Sequence, residues 1–175
     1  MELKIKRLSD KAIMPIRAHE GDAGLDLTTT SITSEINECG QFILVYHSDI
    51  AVEIPDGYVG LLFPRSSIAK KSIQFTNAVG VIDSGYRGEI MAKVRNTSGD
   101  SVPAVYKVGE KFAQLVIVPY VSDITITETT ELQDSDRGTG GYGSSDVKED
   151  ISAVNTTEES VQEPAVEDNT SEAVA

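Results

Sequence analysis

Residues 42–63 read FILVYHSDIAVEIPDGYVGLLF, and they contain three short apolar runs, at 42–46, 50–54 and 59–63. These runs are rich in β-branched and aromatic residues and too short for typical helices, so each predicts a strand. The turn before the third run has a chemical signature, because Pro55 presets φ at its second position and Gly57 supplies positive φ two residues later. The stretch therefore predicts strands joined by tight turns.

Similar runs occur on both sides of this stretch, separated by Gly, Pro, Asn and Asp. They predict further strands at 3–8, 25–30, 73–75, 79–82, 90–95, 115–120 and 124–127. The one predicted helix, 66–72, has only one or two turns and is opened by Ser66 and Ser67. Many short strands with turns between them favour a sandwich, jelly roll or small barrel over a parallel α/β fold. We predict an all-β domain.

Length and composition narrow the classes of protein. The chain has 175 residues, too few for a TIM barrel or a two-domain dehydrogenase. It lacks tryptophan and is only 6% aromatic, so we expect a core of Val, Ile and Leu. Its net charge of -13 argues against binding to duplex nucleic acid, which requires a basic face. An anionic ligand must therefore meet a local cluster of cations.

Two features bear on location. Cys39 is the only cysteine and cannot form an internal disulfide, and the N-terminus lacks the apolar region of a signal peptide. We expect a reducing compartment, which is the cytoplasm, the nucleus, or the host cytosol if the gene is viral. The apolar stretches are far shorter than the roughly 20 residues that cross a bilayer as a helix, so no membrane span is predicted.

The composition changes after Gly143. Residues 146–175 contain no glycine and no aromatic residue, and they carry nine acidic residues against one lysine, Lys148. Such a segment buries too little apolar surface to offset its ordering entropy, so we predict a disordered acidic tail. The predicted organisation is a β domain over 1–136, a flexible glycine-rich arm over 137–145 and the tail over 146–175.

The arm reads RGTGGYGSS and matches the G-x-G-x-x-G spacing of dinucleotide-binding loops. That motif needs a strand before it and a helix after it, and both are missing here. A phosphate loop fails as well, because Ser144 occupies the position of its lysine. Two interpretations remain, a strip that folds over an anionic, ring-containing ligand and a plain linker into the tail.

Two other short segments carry side chains that could take part in catalysis or anion binding. The residues at 81–85, VIDSG, resemble the aspartic protease signature, but that catalysis needs two such carboxylates and only Asp83 is present. A hairpin turn that carries a functional carboxylate remains a possible interpretation of this segment.

At 64–68, Arg65 and two hydroxyls begin the predicted helix, where an anion is favoured, although a capped surface turn explains them too.

Zinc has no support, because His19, His47 and Cys39 lack ligand spacing. A hard cation held by oxygen atoms remains possible.

Taken in order, five segments resemble the five motifs of the homotrimeric dUTPases, the deoxyuridine triphosphate nucleotidohydrolases. They are DAGLDL at 22–27, PRSS at 64–67, NAVGVIDSGYRGE at 77–89, GEKFAQL at 109–115 and RGTGGYGSS at 137–145. Each motif is weak alone, whereas the ordered set is specific and covers about residues 3–145. The tail has no part in the resemblance.

The resemblance implies a β jelly roll whose three active sites lie between subunits, each drawing motifs from all three chains. It implies hydrolysis of dUTP to dUMP and pyrophosphate with Mg²⁺, by water attack on the α-phosphorus. This reaction keeps uracil out of DNA and supplies dUMP for dTMP synthesis.

The same resemblance implies roles for individual residues. Asp83 would activate the water and contact the sugar 3'-hydroxyl, Gln114 would bond near the α-phosphate, and Asp26 would hold magnesium through its water shell. Asp22 would be structural. The implied substrate-binding residues include Arg65 and Ser66 at the α- and β-phosphates, with Ser67 next to them. The others are Asn77, Gly80, Val81 and Ile82 at uracil; Tyr86 against deoxyribose; and Arg137, Gly141, Tyr142, Gly143, Ser144 and Ser145 in the closing arm.

Three positions depart from the family pattern. Position 142 is more often Phe, position 85 is often Asp and position 67 is often Gly. A tyrosine keeps the face that stacks on uracil, and the other two positions are peripheral to the chemistry.

Two alternatives compete with this interpretation. The dCTP deaminases share the fold, but Tyr86 and the complete glycine arm favour the hydrolase. A binding or signalling module could use the tail to engage an unknown basic partner, and since every expected catalytic group is present, this role would be added to catalysis.

Deletion of residues 146–175 is expected to leave dUTP turnover and the melting temperature nearly unchanged, because the tail is predicted to add no packed surface. Steady-state kinetics and thermal unfolding of both chains test this. A large loss in either quantity would show that the tail is ordered or catalytic.

Overall fold

The structure is a computed structural model that describes residues 1–98 and 104–141. The chain divides into two units, residues 1–126 and residues from 127 onward. In the described part of the first unit, nine strands and one 3-10 helix occur in this order: β1 (Lys4–Arg7), β2 (Gly24–Thr28), β3 (Ser31–Ile36), β4 (Phe42–Glu53), β5 (Tyr58–Pro64), the 3-10 helix (Ser66–Lys70), β6 (Ile73–Phe75), β7 (Gly80–Ile82), β8 (Glu89–Asn96) and β9 (Lys111–Pro119).

The strands form two antiparallel sheets. The first sheet has the order β1-β4-β8-β6, and β3 also pairs with β4. The second sheet has the order β2-β9-β5-β7. This arrangement confirms the predicted all-β, jelly-roll-like fold.

Aromatic side chains join the two sheets at the centre of the core. Tyr46 of the first sheet stacks on Phe112 of the second, with ring centroids 5.5 Å apart, and meets the Tyr106 ring edge-on at 6.0 Å. The Tyr46 hydroxyl accepts from the Tyr106 N–H at 3.1 Å, and burial raises the pKa of this phenol. The expected aliphatic core is present around them, but its largest fully buried side chains are Tyr46 and Phe112.

β4 runs continuously through the two runs that the sequence predicted separately at 42–46 and 50–54. A bulge lies between them, where the register with β8 shifts between His47 and Ala51 and Asp49 has φ of 52°. Glu89 stabilises this bulge, because its Oε1 accepts from the backbone N–H groups of Ser48 at 3.0 Å and Asp49 at 2.9 Å. Its Oε2 lies 3.0 Å from His47 Nδ1.

Three details of local structure differ from the sequence predictions. β3 was missed because its Ser, Thr and Glu side chains face solvent at a sheet edge, and only its pairing with β4 identifies it. Residues 124–127 form no strand, since Ile124 and Ile126 are exposed and no neighbouring strand pairs with them in the described structure. The predicted helix at 66–72 is the shorter 3-10 helix Ser66–Lys70.

The predicted tail and the end of the arm, residues 142–175, lie outside the described residues. Where the structure does describe the chain, none of its helices has the length and apolar character needed to cross a membrane.

Replacing Glu89 with Ala is expected to lower the free energy of unfolding by about 2–3 kcal/mol, because two backbone N–H groups at a partly buried bulge lose their acceptor. Urea denaturation measures the change. Glu53→Ala is the matched control, since Glu53 accepts from the exposed Lys4 ammonium at the surface, where solvent screens the pair, and its loss should cost much less. Equal losses in the two variants would contradict the assigned role of Glu89.

Candidate active site

Three neighbouring strands of the second sheet, β2, β9 and β5, bring polar groups from distant segments of the chain close together. Asp26 on β2 lies opposite Gln114 on β9, and Gln114 lies opposite Phe63 on β5. Arg65 follows two residues after Phe63. A cavity of about 350 Å³ opens here and is lined in part by Asp22, Asp26, Arg65, Ser66 and Gln114; we call it the Asp26 cavity.

Asp26 is buried, with 7% of its surface exposed, and it is held between two cations. Arg65 Nε donates to Oδ1 at 2.8 Å, and Lys111 Nζ donates to Oδ2 at 2.8 Å. A buried carboxylate needs such partners to offset its desolvation. Arg65 uses only Nε in this bond, so the four N–H groups of its two terminal nitrogens can meet an anion.

Lys111 was not singled out from the sequence. It lies within the GEKFAQL segment, but a salt bridge to Asp26 could not be inferred from that segment alone. The pairing of Thr28 with Lys111 between β2 and β9 is what brings the two side chains together.

The amide of Gln114 is fixed in the wall of the cavity. Its Nε2 donates to the carbonyl of Pro64 at 3.1 Å. Gly24 lies beside it so closely that a Cβ at this position would be 2.5 Å from Gln114 Oε1 and 3.2 Å from Gln114 Cβ. The glycine of the DAGLDL segment therefore makes room for this side chain.

The donors around the Asp26 cavity are compatible with magnesium. Among residues 1–98 and 104–141 no group of three or more His, Cys, Asp or Glu side chains forms a ligand cluster. Mg²⁺ usually keeps several waters and binds one or two carboxylates plus substrate phosphates, so it needs no such cluster. Each Asp26 oxygen bonds one cation and retains lone-pair capacity for a metal-bound water.

Asp83 lies far from this cavity within one chain. Because Gly60 on β5 pairs with Ile82 on β7, Asp83 is level with Val59 at the start of β5. Arg65 follows the other end of β5, six residues further along, which is about 20 Å in an extended strand. Asp83 instead lines a separate cavity of about 290 Å³, together with Ser84 and Tyr120. One chain does not bring the two groups together.

The segment around Asp83 passes from one sheet to the other. β7 pairs with β5 in the second sheet, whereas β8 pairs with β4 and β6 in the first. The hairpin that the sequence left open at Asp83 is therefore not formed, because β7 and β8 belong to different sheets, and the turn between β6 and β7 also joins strands of different sheets. Asn77 and Ala78 form the turn before β7, and Ala78 has φ of 57°.

The turn after Asp83 holds Tyr86 in a defined position. The Tyr86 N–H donates to the Asp83 carbonyl at 3.0 Å, and the Tyr86 hydroxyl donates to the Glu89 carbonyl at 3.0 Å. The ring lies directly over Gly88, where a Cβ would collide with it. Tyr86 is 41% exposed, so its ring can contact a ligand.

Other predicted residues occupy varied positions. Ser66 lines the Asp26 cavity, whereas the Ser67 hydroxyl lies 2.9 Å from Tyr106 Oη at the wall of a different cavity. The Asp22 carboxylate accepts from the His19 N–H at 2.8 Å and stabilises a turn. Gly80 is buried and Val81 is exposed on β7.

The second unit is described only to Gly141. Within it, Arg137 Nε donates to the carbonyl of Gly140 at 3.2 Å, and Gly138 has φ of 52° in the same turn. The implied site residues Tyr142, Gly143, Ser144 and Ser145 lie outside the described residues.

Comparison with known proteins gives consistent matches. A family model described as dUTPase matches residues 10–146. The deoxyuridine 5'-triphosphate nucleotidohydrolase of Clostridium acetobutylicum is 42% identical over 151 residues, covering 85% of this chain and 99% of the relative. That of Rhodococcus erythropolis is 43% identical over 146 residues, covering 83% of this chain and 86% of the relative.

Solved structures agree. A mutant of the Staphylococcus bacteriophage 80alpha dUTPase with dUpNHpp has a TM-score of 0.68 and 32% identity, covering 83% of this chain and 99% of that one. A mutant of the dUTPase from S. aureus phage phi11, whose structure describes the coordination of a structural Mg(II) ion, has a TM-score of 0.62 and 30% identity, covering 77% of this chain and 100% of that one.

Gly24→Ala is expected to lower the free energy of unfolding by about 1–3 kcal/mol, because the added methyl group forces the Gln114 amide away from Pro64. Urea denaturation of Gly24→Ala in the wild-type and Gln114→Ala backgrounds forms a double-mutant cycle. The cost should be smaller in the Gln114→Ala background, where the clash is absent. The same cost in both would show that close contact with Gln114 is not the reason for glycine.

Proposed function

The chain belongs to the dUTPase family, and from this premise we propose that it hydrolyses dUTP to dUMP and pyrophosphate in sites shared between the subunits of a homotrimer. The observation that carries the proposal is the Asp26 cavity, where three of the five family motifs contribute a carboxylate, an arginine, a hydroxyl and an amide to one wall. These are the groups that bind and polarise a polyphosphate.

The phosphates are the part of the substrate that the Asp26 cavity suits. Arg65 can direct its two terminal nitrogens at phosphate oxygens while Nε stays on Asp26, and charge-assisted bonds of this kind are the strong ones. Ser66 adds a hydroxyl, and Gln114 presents its amide beside the Pro64 carbonyl. Phosphoryl transfer depends mainly on such positioning and on stabilising charge.

Magnesium belongs to this proposal at the same cavity. Asp26 would hold the ion through bound water, and the ion would neutralise charge on the phosphates. Asp26 is suited to this because Arg65 and Lys111 fix both of its oxygens in the cavity wall.

Asp83 is the proposed base that orients the attacking water. Its carboxylate is exposed at the end of β7, and the Tyr86 N–H bond to its carbonyl fixes the turn that carries it. A carboxylate within hydrogen-bond reach of water can accept its proton as the water attacks. We also assign Asp83 a bond to the sugar 3'-hydroxyl.

Selection of the sugar and base is proposed for the segment around β7. The Tyr86 ring, fixed over Gly88, would lie against deoxyribose and exclude a 2'-hydroxyl. Asn77, Gly80, Val81 and Ile82 would present backbone and amide groups to uracil. Groups built to hydrogen-bond one base are left unpaired by another, which gives strong discrimination.

The need for a second chain follows from the proposed roles. Asp83 and Arg65 lie at opposite ends of β5, so a site that uses both must take them from different subunits. The third chain would supply the arm, with Arg137, Ser144 and Ser145 at the γ-phosphate, Tyr142 stacked on uracil, and Gly141 and Gly143 allowing the approach. Ser67, whose hydroxyl bonds Tyr106, would contribute only its backbone.

The proposed organisation keeps 1–136 as the catalytic domain, 137–145 as the arm and 146–175 as a tail outside catalysis. Cys39 is a free, exposed thiol, which suits the reducing compartment that we propose.

A product assay tests the function directly. The purified protein is incubated with dUTP, dCTP, dTTP or UTP, with and without magnesium, and the products are separated by anion exchange. We expect dUMP from dUTP alone and none after chelation. Conversion of dCTP would indicate a deaminase, and no turnover at all would favour a binding module.

Asp83→Asn is expected to retain dUTP binding and to lose nearly all turnover, because the amide keeps the hydrogen-bonding shape but cannot accept the proton. Calorimetric titration with dUpNHpp and initial rates with dUTP measure the two effects. A variant with the wild-type rate would refute the role of Asp83.

Two inactive variants are expected to restore activity when their subunits are mixed. In trimers refolded from equal amounts of Asp83→Asn and Arg65→Gln chains, about a quarter of the sites would receive both intact residues from different chains. The rate should rise to a comparable fraction of wild type. The separately refolded variants are the controls, and a mixture no more active than these would place both residues in one chain's site.

A further inference from the structure

A second, larger cavity is also lined by Arg65. Its volume is about 570 Å³, and we call it the Lys70 cavity. Four cations line it, Arg65, Lys70, Lys71 and Lys111, against one carboxylate, Glu110. In a chain with a net charge of -13 this is a marked local excess of positive charge. The cavity therefore favours an anion.

Two of these cations are engaged in holding the wall. Lys111 bonds Asp26. Lys71 Nζ donates to the Val105 carbonyl at 3.1 Å, lies 3.5 Å from a Glu110 oxygen and sits 4.8 Å from the centroid of the Tyr106 ring. These contacts fix the shape of the cavity and pair two of its four cations with carboxylates.

The remaining two cations are Lys70 and Arg65, and Arg65 also lines the Asp26 cavity. Lys70 ends the 3-10 helix, and in the described parts of the chain no hydrogen bond or ion pair engages its ammonium group. Arg65 still has the four N–H groups of its terminal nitrogens. The hydroxyls of Ser67 and Tyr106, 2.9 Å apart, share one proton in their mutual bond and leave the other for a ligand.

Glu110 does not cancel this charge. Its Oε2 accepts from the Lys107 N–H at 2.8 Å, and this bond, with Lys71 nearby, keeps the pKa of the carboxyl below its ordinary value. The group therefore stays ionised, and with Asp26, which pairs with Arg65 and Lys111, it leaves four positive charges against two negative ones around this cavity.

We propose that the Lys70 cavity is a second anion site that binds pyrophosphate, with Lys70 as its principal donor and with Arg65 dividing its four terminal N–H groups between this anion and the nucleotide. The proposal rests on the proposed function, because dUTP hydrolysis is what supplies this anion. Arg65 lines both cavities, so pyrophosphate released at the Asp26 cavity can pass to the second site while it stays in contact with the same guanidinium group. Arginine and lysine together suit phosphate oxygens, one through its planar fork and the other as a point charge.

The distinguishing consequence is that pyrophosphate and a bound nucleotide can occupy one chain together. Equilibrium dialysis with radiolabelled pyrophosphate counts the bound ions on the full chain in magnesium buffer, with saturating dUpNHpp filling the catalytic sites. We expect about one pyrophosphate per chain. Lys70→Gln should weaken this binding by about tenfold or more, since it removes a charged hydrogen bond.

Lys107→Gln is the matched control. Lys107 is an exposed lysine of the same region that does not line the cavity. It should leave pyrophosphate binding unchanged. The proposal is overturned if dUpNHpp abolishes pyrophosphate binding, or if the two lysine variants weaken it equally, which would indicate diffuse surface attraction.

The product assay on the wild-type chain separates this inference from the proposed function. Turnover of dUTP without pyrophosphate binding in the presence of dUpNHpp would overturn only the second site. Pyrophosphate binding to a chain that does not hydrolyse dUTP would overturn the proposed function and the origin of the anion, while leaving the cavity as an anion site.

Discussion

The buried carboxylate of Asp26, held between Arg65 and Lys111, is the interaction on which the proposed phosphate site depends. It joins β2, the end of β5 and the start of β9, and it places an arginine at the boundary of two cavities. A buried charge without partners is costly, so the three side chains fix one another's positions. The cations that suit a polyphosphate are thereby in place before any ligand arrives.

The length of β5 also limits which functional groups a single chain can bring together. A seven-residue strand separates the phosphate-binding end from the carboxylate proposed to activate water. A single chain can complete its core, because Tyr46 and Phe112 join its own two sheets. It cannot complete the proposed chemistry alone. In the proposed assembly the core is complete within one chain, whereas the catalytic site would form between chains.

Local signals in the sequence predicted much of this fold and less of its site. The 73–75 strand and the Pro55–Gly57 turn depend on neighbouring residues, and the structure confirms both. β3 was missed because only its pairing with β4 identifies it as a strand. The strand predicted at 124–127 was wrong because its apolar pattern has no partner strand in the described structure. The ordered motifs identified Asp26 and Arg65 by resemblance. The bond from Lys111 to Asp26 spans 85 positions and that from Asp49 to Glu89 spans 40, distances over which residue patterns carry no information.

Glu89 connects the stability of the fold to the ring proposed to select the sugar. Its side chain holds the bulge in β4, while its carbonyl receives the Tyr86 hydroxyl. Replacing Tyr86 to admit ribonucleotides would therefore also remove a hydrogen bond to Glu89, the residue whose side chain holds the bulge in β4.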